Sequence, residues 1–306
     1  MPSRRLGRSI GINNIPPKIC SYACVYCQLG RAIKMSAVRQ KFYEPEELFA
    51  EVKEKIENAY SRGEKIDYLT IVPDGEPTLD IKLGQLIGLL KSLNIPVAVI
   101  TNASLIDKPD VRDELYEADW VSLKVDAVSE ASWQKIDRPH KNIQLQKILS
   151  AASLFARQFS GQLVMETMLV KGLNDSEEEL SNTAGFVGQL KPSIAYIGIP
   201  TRPPAEKWVT APDESKINQA YQIFSQHNDK VEYLVGYEGN EFSSSGTIAE
   251  DILSITAVHP MREDAVLESL RKANEDFSVI DEMVRSGRLI VTEYRGKLFY
   301  LRNLKR

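Results

Sequence analysis

Apolar residues recur along this chain with two alternating periods. A short apolar run at 9–15 is closed by Pro16-Pro17, and the cysteine-bearing loop follows it. Leu48, Phe49, Val52 and Ile56 then fall at helical spacing behind Pro45, and Gly63 ends that helix. A run of strand formers at 66–72 comes next and stops at Pro73-Asp74-Gly75. The same grammar repeats. Helices are predicted over 82–93, 109–117, 143–158, 176–190 and 213–227, and strands at 96–101, 120–125, 163–170 and 194–199, with one more candidate strand at 231–235.

Six strand–helix units before residue 228 imply a parallel sheet with helices outside it. We read the fold class as α/β, a partial (βα)6 TIM-like barrel rather than a flat sheet. Active chemistry then belongs at the carboxyl ends of the strands. The polar, small-residue stretch 239–246 interrupts the pattern and reads as a linker. The expected organisation is a barrel over 1–238, a linker over 239–250 and a small domain over 251–306. In that last part a helix near 247–253 precedes the apolar segment 254–258. Helices at 261–272 and 275–286 lead to strands 288–294 and 297–302 joined through Arg295-Gly296, the pattern of a winged helix-turn-helix domain.

The 306 residues are 43% hydrophobic and 26% charged, which allows a large core and argues against global disorder. A net charge of −4 disfavours a nucleic-acid coat or a membrane-surface protein, although a local basic patch is compatible with it. No apolar run is long enough to span a bilayer. The basic start Met1-Pro-Ser-Arg-Arg5 leads into no apolar stretch, so it is not a secretory leader and a cytoplasmic location is expected.

The cysteines change the picture most. There are three, Cys20, Cys24 and Cys27, within eight positions. An odd, tightly grouped set is a poor disulfide framework. Three thiolates in one loop suit a metal or an iron–sulfur cluster. A zinc loop would borrow a histidine, and none of His140, His227 and His259 is near in sequence. On a cubane cluster the fourth iron is left without a cysteine and stays open. A second signal lies in 120–126, where Val121, Leu123 and Val125 alternate with Ser122, Lys124 and Asp126. Parallel strands covered on both faces are normally apolar throughout, so this polar face predicts a wet, functional interior.

The segment Cys20-Ser-Tyr-Ala-Cys24-Val-Tyr26-Cys27 resembles the signature of radical S-adenosylmethionine (SAM) enzymes. Asp74-Gly75-Glu76-Pro77-Thr78 resembles that family's Gly-Gly-Glu-Pro motif, with Asp74 in place of the first glycine. Thr101-Asn102-Ala103 resembles its Thr-Asn-Gly segment, with Ala103 in place of glycine. The resemblance covers about residues 8–235. Residues 4–18 are similar to a subgroup related to the wybutosine-synthesis enzymes that modify tRNA, but three cysteines cannot hold the second cluster those enzymes need.

The resemblance implies a [4Fe–4S] cluster on Cys20, Cys24 and Cys27, whose open iron chelates the SAM amino and carboxylate groups. It places Tyr26 beside the adenine, Gly75, Glu76 and Pro77 at the SAM amino group, and Asn102 close to the same pocket. Ser122 and Asp126 would contact the ribose or carboxylate, and Met168 would line the adenine pocket. Lys124 is the candidate catalytic residue, binding a carboxylate or the substrate unless it is simply paired with Asp126 or a neighbouring acid. A low-potential flavodoxin- or ferredoxin-like partner would supply the electron. SAM would split into methionine and a 5′-deoxyadenosyl radical that takes hydrogen from a substrate, with RNA and protein both open. The missing fourth cysteine argues against sulfur insertion, cysteine-relay methylation and a thiyl relay.

Weaker candidates are Glu166 and Lys171 around the fifth strand, Arg202 in a proline-rich loop, His140, and Arg4, Arg5 and Arg8 at the amino terminus. The competing reading is a cluster-bearing regulator that grips nucleic acid through its winged helix. Arg288, Arg295, Lys297, Arg302, Lys305 and Arg306 would supply its basic surface.

Overall fold

The computed structural model describes residues 2–3, 5–72, 74–234, 247–258 and 260–303. A short arm, β1 (Pro2–Ser3), folds back on β2 (Gly7–Ile12), and β3 (Ile19–Cys20) with β4 (Lys34–Met35) frames the cysteine loop. Alternation then sets in with α1 (Pro45–Ser61), β5 (Tyr68–Ile71), a 3-10 turn at Pro77–Leu79, α2 (Leu83–Lys91), β6 (Val97–Thr101), α3 (Pro109–Tyr116) and β7 (Trp120–Lys124). It continues through α4 (Glu130–Ile136), α5 (Leu145–Gln158), β8 (Gln162–Met168), α6 (Glu177–Gln189), β9 (Ile194–Gly198), α7 (Glu214–His227) and β10 (Val231–Leu234).

The main sheet runs β1-β2-β5-β6-β7-β8-β9-β10. Its seven strands from β2 to β10 are parallel, and only β1 is antiparallel. The ends of this order do not pair, so the sheet curls into a half-barrel without closing. Local chemistry starts the helices where the pattern placed them. Pro45 opens α1, and Ser176 caps α6 by accepting the Glu179 N–H ahead of three glutamates that face the helix dipole.

The pleat separates two cores. Val97, Val99, Val121 and Leu123 point outward to helix residues such as Leu86 and Phe155. Ala98, Trp120, Val164, Ile194, Tyr196 and Leu234 point inward, where Leu6 from the turn after β1 joins them. Each fully buried aliphatic side chain contributes about 1.5–3 kcal/mol. This apolar plug fills the interior of the half-barrel. Two to four residues further along these strands the inward positions become Asn102, Ser122, Lys124 and Glu166, so the polar interior begins at the carboxyl ends.

Two features depart from the sequence expectations. α4 is a short helix that no periodic run announced; Ser129 caps it by accepting the Ser132 N–H. The apolar segment 254–258 is no separate element but continues α8 (Ile248–Val258). After α8 come β11 (Met261–Arg262), α9 (Glu263–Ala273), α10 (Ser278–Arg285), β12 (Leu289–Tyr294) and β13 (Lys297–Arg302). They form an antiparallel sheet of order β11-β13-β12 and enclose a second core around Ile252, Met261, Leu270, Ile280 and Met283. Residues 239–246 of the expected linker, and Lys305 and Arg306 of the expected basic tail, lie outside the described residues. The β12–β13 hairpin reaches the half-barrel, where the Tyr294 hydroxyl donates to the Pro200 carbonyl at 3.1 Å. No helix among the described residues is long and apolar enough to cross a membrane.

Candidate active site

The carboxyl ends of β5, β6, β7 and β8 open with the cysteine loop into one cleft of ≈ 830 Å³, counted with its open mouth. Cys20, Cys24, Cys27, Tyr26, Gly75, Asn102, Ser122 and Lys124, all expected from the sequence, line it. Glu76, Pro77 and Asp126 do not line it and are buried behind its wall, and the half-buried Met168 does not line it either.

The cysteine loop has no regular structure of its own and is held by what surrounds it. The Val25 N–H donates to the Ile136 carbonyl at 2.9 Å, and the Ala23 N–H donates to the Asp137 carbonyl at 3.0 Å, both at the end of α4. The Ser36 N–H donates to the Cys20 carbonyl at 3.0 Å from the other side. Cys20, Cys24 and Cys27 are free thiols. Burial, then the nearby Glu76 carboxylate, pushes Cys20 up to about 12. Burial and Asp137 raise Cys24, and burial raises Cys27. Cys24 feels the charges of both Cys20 and Cys27, so the three sulfurs form one electrostatic group. A cationic centre between them would reverse this penalty, because metal-bound thiols lose their protons. Among the described residues no three His, Cys, Asp or Glu side chains draw together around a single metal ion. Three thiols around one cavity suit a cluster with iron at several corners.

The turn after β5 lies against this loop. A Cβ on Gly75 would sit 1.9 Å from the Ile19 carbonyl oxygen, so only glycine lets the turn pack there. The Glu76 N–H donates to that same carbonyl at 3.2 Å. The Glu76 carboxylate, fully buried, accepts from the Thr78 N–H and hydroxyl, the Thr101 hydroxyl at 2.5 Å and the Asn102 N–H at 2.8 Å. It thereby ties the turn after β5 to the end of β6. Asn102 in turn donates from Nδ2 to the Ser21 hydroxyl at 3.0 Å and to Cys20 Sγ at 3.5 Å.

A charged row crosses the interior on β7 and β8. Lys124 Nζ lies 3.4 Å from Glu166 and 3.5 Å from Asp126, and 4.9 Å from the centre of the Tyr26 ring. Burial alone would lower the Lys124 pKa; the Asp126 and Glu166 carboxylates overturn that and raise it, so the side chain is a fixed ammonium. The Tyr26 hydroxyl donates to Asp126 and, at 3.3 Å, also approaches Asp137. Asp126 also accepts the Met168 N–H at 2.7 Å, so it positions Tyr26 and Lys124 from behind. The Met168 side chain packs against Val25, Tyr26 and Val209 and passes over Gly198.

Sequence reasoning did not single out Asp137 or Lys18 as site residues, and it named Thr101 only as part of the Thr-Asn-Gly-like segment. Arg5, expected only as an amino-terminal charge, pairs with Glu166 inside the cleft. Of the other weaker candidates, Arg4 lies outside the described residues, and Arg8, Lys171, Arg202 and His140 do not line the cleft. Lys171 pairs with Asp213, Arg202 donates to Gln28 at 2.9 Å, and His140 accepts the Asn142 N–H.

Asp74 occupies the first position of the turn and lines the cleft at 1% exposure. Its Oδ2 accepts from Asn13 at 2.7 Å, while Oδ1 is buried without a hydrogen-bond partner. Burial pushes its pKa up to about 7, against the opposing pull of Asn13 and Arg302. The folded state therefore holds a proton that the unfolded chain gives up near pH 4. Stability contributed by Asp74 is complete below that value and is lost as pH rises towards 7. We expect the stability of Asp74→Asn relative to wild type to grow by about 1.4 kcal/mol per pH unit across this window. Chemical denaturation at pH 5, 6 and 7 checks this, and parallel pH profiles would refute it.

The chain has clear relatives. The radical SAM superfamily profile matches residues 14–184. A UPF0026 protein of Methanocaldococcus jannaschii is 47% identical over 307 residues, covering 100% of this chain and 95% of that protein. Streptococcus suis SuiB bound to S-adenosylmethionine shares the fold with TM-score 0.54 and 13% identity, over 75% of this chain and 51% of its own. TYW1 with a lysine–pyruvate adduct bound does so with TM-score 0.54 and 16% identity, over 72% of this chain and 74% of its own. A half-barrel with three thiols and the 74–77 and 101–103 turns at its carboxyl edge, matched over more than half its length, belongs to an enzyme of the radical SAM superfamily, within its UPF0026 proteins.

Proposed function

We propose that the protein binds a [4Fe–4S] cluster on Cys20, Cys24 and Cys27 and cleaves SAM reductively to start radical chemistry on a separate substrate. The observation that carries this reading is the convergence of three half-buried thiols with Asp74-Gly75 and Thr101-Asn102 in a single cleft. When bound, the cluster supplies one electron to the SAM sulfonium, which releases methionine and a 5′-deoxyadenosyl radical. The chain's own residues bind and orient. Asp74 has an unpartnered oxygen suited to the SAM ammonium. Asn102 and Ser122 offer hydrogen bonds to its polar groups, and the Tyr26 ring offers a face to the adenine. Lys124 and Arg5, held by Glu166, present fixed positive charge to a carboxylate deeper in the cleft. An ammonium so firmly protonated does not act as a nucleophile, so Lys124 is read as a binding group.

Residues 248–303 are read as a winged-helix module on their element order and β11-β13-β12 sheet. α10 would be its recognition helix, yet it carries Asp281 and Glu282 against Arg285, with Glu275 and Asp276 just before it. Phosphates would be repelled there. The hairpin also turns to the half-barrel through Tyr294. Docking of the substrate beside the cleft suits these facts better than DNA reading, and a cytoplasmic location suits an oxygen-sensitive cluster.

The test is anaerobic reconstitution with iron and sulfide, reduction by dithionite with SAM present, and quantification of 5′-deoxyadenosine and methionine. Equal amounts of the two products are expected. Zinc in place of iron and sulfide, with no SAM cleavage, would overturn the reading.

A further inference from the structure

The first 43 residues contain eight basic side chains and no acidic one, whereas the rest of the chain carries 30 basic and 42 acidic residues. This asymmetry surrounds the cysteine loop. Some of these charges are consumed internally. Arg5 pairs with Glu166 in the cleft, and Arg39 is buried between Asp110 and Glu114. Others face solvent just beyond Cys27. The Arg31 side chain is 77% exposed although it touches Glu206, and Lys34 is exposed with no ion pair among the described residues. Between and beside them lie Ile33 at 63% and Val38 at 69% exposure, the two most exposed large aliphatics described.

This surface is the outer side of the cysteine loop. Lys34 and Met35 pair in register with Ile19 and Cys20. The Ile33 N–H donates to the Lys18 carbonyl at 3.0 Å, and the Ser36 N–H to that of Cys20 at 3.0 Å. An electron arriving here would be one hydrogen-bonded strand away from a cluster ligand. Exposed aliphatics beside Lys34, and beside Arg31 whose guanidinium shares Glu206 with Arg138, form a small apolar centre with a basic rim, a common arrangement in transient protein contacts.

We propose that the surface formed by Arg31, Ile33, Lys34 and Val38 docks an acidic one-electron carrier protein of the flavodoxin kind. The inference rests on the cluster reading above. In the transfer, the carrier's flavin hydroquinone is oxidised by one electron to the semiquinone, and the cluster is reduced by one.

Binding of an acidic flavodoxin to the reconstituted holoenzyme is measured by titration, beside SAM cleavage driven either by the reduced flavodoxin or by dithionite. We compare wild type with Arg31→Glu/Lys34→Glu, with Ile33→Ser, and with Lys147→Glu/Arg157→Glu, an equal charge change on the outer helix α5. The Arg31/Lys34 reversal is expected to weaken flavodoxin binding and slow flavodoxin-driven cleavage about tenfold or more, and dithionite-driven cleavage should not change. Wild-type binding should weaken when salt rises from about 50 to 300 mM. Ile33→Ser should weaken binding without altering its salt dependence. Equal loss in the α5 variant, or unaltered binding in the Arg31/Lys34 variant, overturns the docking surface. So does salt-sensitive binding of tRNA that the reversal abolishes while flavodoxin binding persists. Failure of dithionite to cleave SAM in wild type would instead strike the cluster reading, and flavodoxin binding would still judge the surface.

Discussion

Cys24→Ala is expected to leave the reconstituted protein without its iron and sulfide and to abolish SAM cleavage, a loss of about a thousandfold or more, equivalent to some 4 kcal/mol of barrier. The chain has no fourth cysteine that could replace the missing ligand. Cys24 is the middle of the three, coupled electrostatically to both others, and its thiol reaches the Asp137 carboxyl at 3.4 Å. Serine would not rescue it, because a hydroxyl is a hard, weakly acidic donor where soft thiolate is needed. The fold should survive, since backbone hydrogen bonds to Ile136 and Asp137 carry the loop and Cys24 fills little volume. Unchanged far-UV circular dichroism and a melting temperature within a few degrees would separate a lost ligand from a lost fold. Full iron and sulfide content with undiminished 5′-deoxyadenosine from Cys24→Ala would sink the ligand assignment.

The legible part of this site was the part encoded locally. Cys20, Cys24 and Cys27 lie in one loop, and the 74–77 turn spells its own geometry through Gly75 and Pro77. The alternation over 121–126 put Ser122 and Lys124 on the inner face, where they line the cleft. What sequence pattern could not give is who stands behind whom. Glu76 and Asp126 belong to motifs expected at the cofactor, yet both turn into the wall to hold Asn102, Tyr26 and Lys124. Arg5 and Glu166 meet across 161 positions, and no periodicity encodes such a pair. Asp137 was hidden for another reason. It ends α4, a seven-residue helix too short to show a hydrophobic period, whose part is to hold up the cysteine loop. The charge asymmetry of the first 43 residues was readable in the sequence, but averaging over a net charge of −4 conceals it. Its meaning depends on the side chains left exposed after Arg5 and Arg39 turn inward.

Glu76 is where stability and function meet most directly, and Glu76→Ala is expected to lower folding stability by about 3–5 kcal/mol, a large share of the 5–15 kcal/mol typical of a domain. Two backbone N–H groups and two hydroxyls converge on its carboxylate in a place with no solvent access. Alanine strands these donors. The hydroxyls can rotate, but the N–H groups of Thr78 and Asn102 cannot. Glu76→Gln should cost less, about 1–2 kcal/mol, because one amide oxygen keeps accepting while the amino group faces a donor. The functional loss follows the same bonds. Glu76 orients Asn102, which reaches Cys20 and Ser21, so Glu76→Gln should weaken SAM binding by about 10–100-fold, as loss of a supporting hydrogen bond behind a ligand does. Its three cysteines should still hold iron and sulfide. Urea unfolding of the apo variants and SAM titration of the reconstituted ones test both halves. An alanine variant as stable as wild type would show that these four hydrogen bonds do not hold the turn. A glutamine variant that binds SAM normally would show that Asn102 needs no support from Glu76.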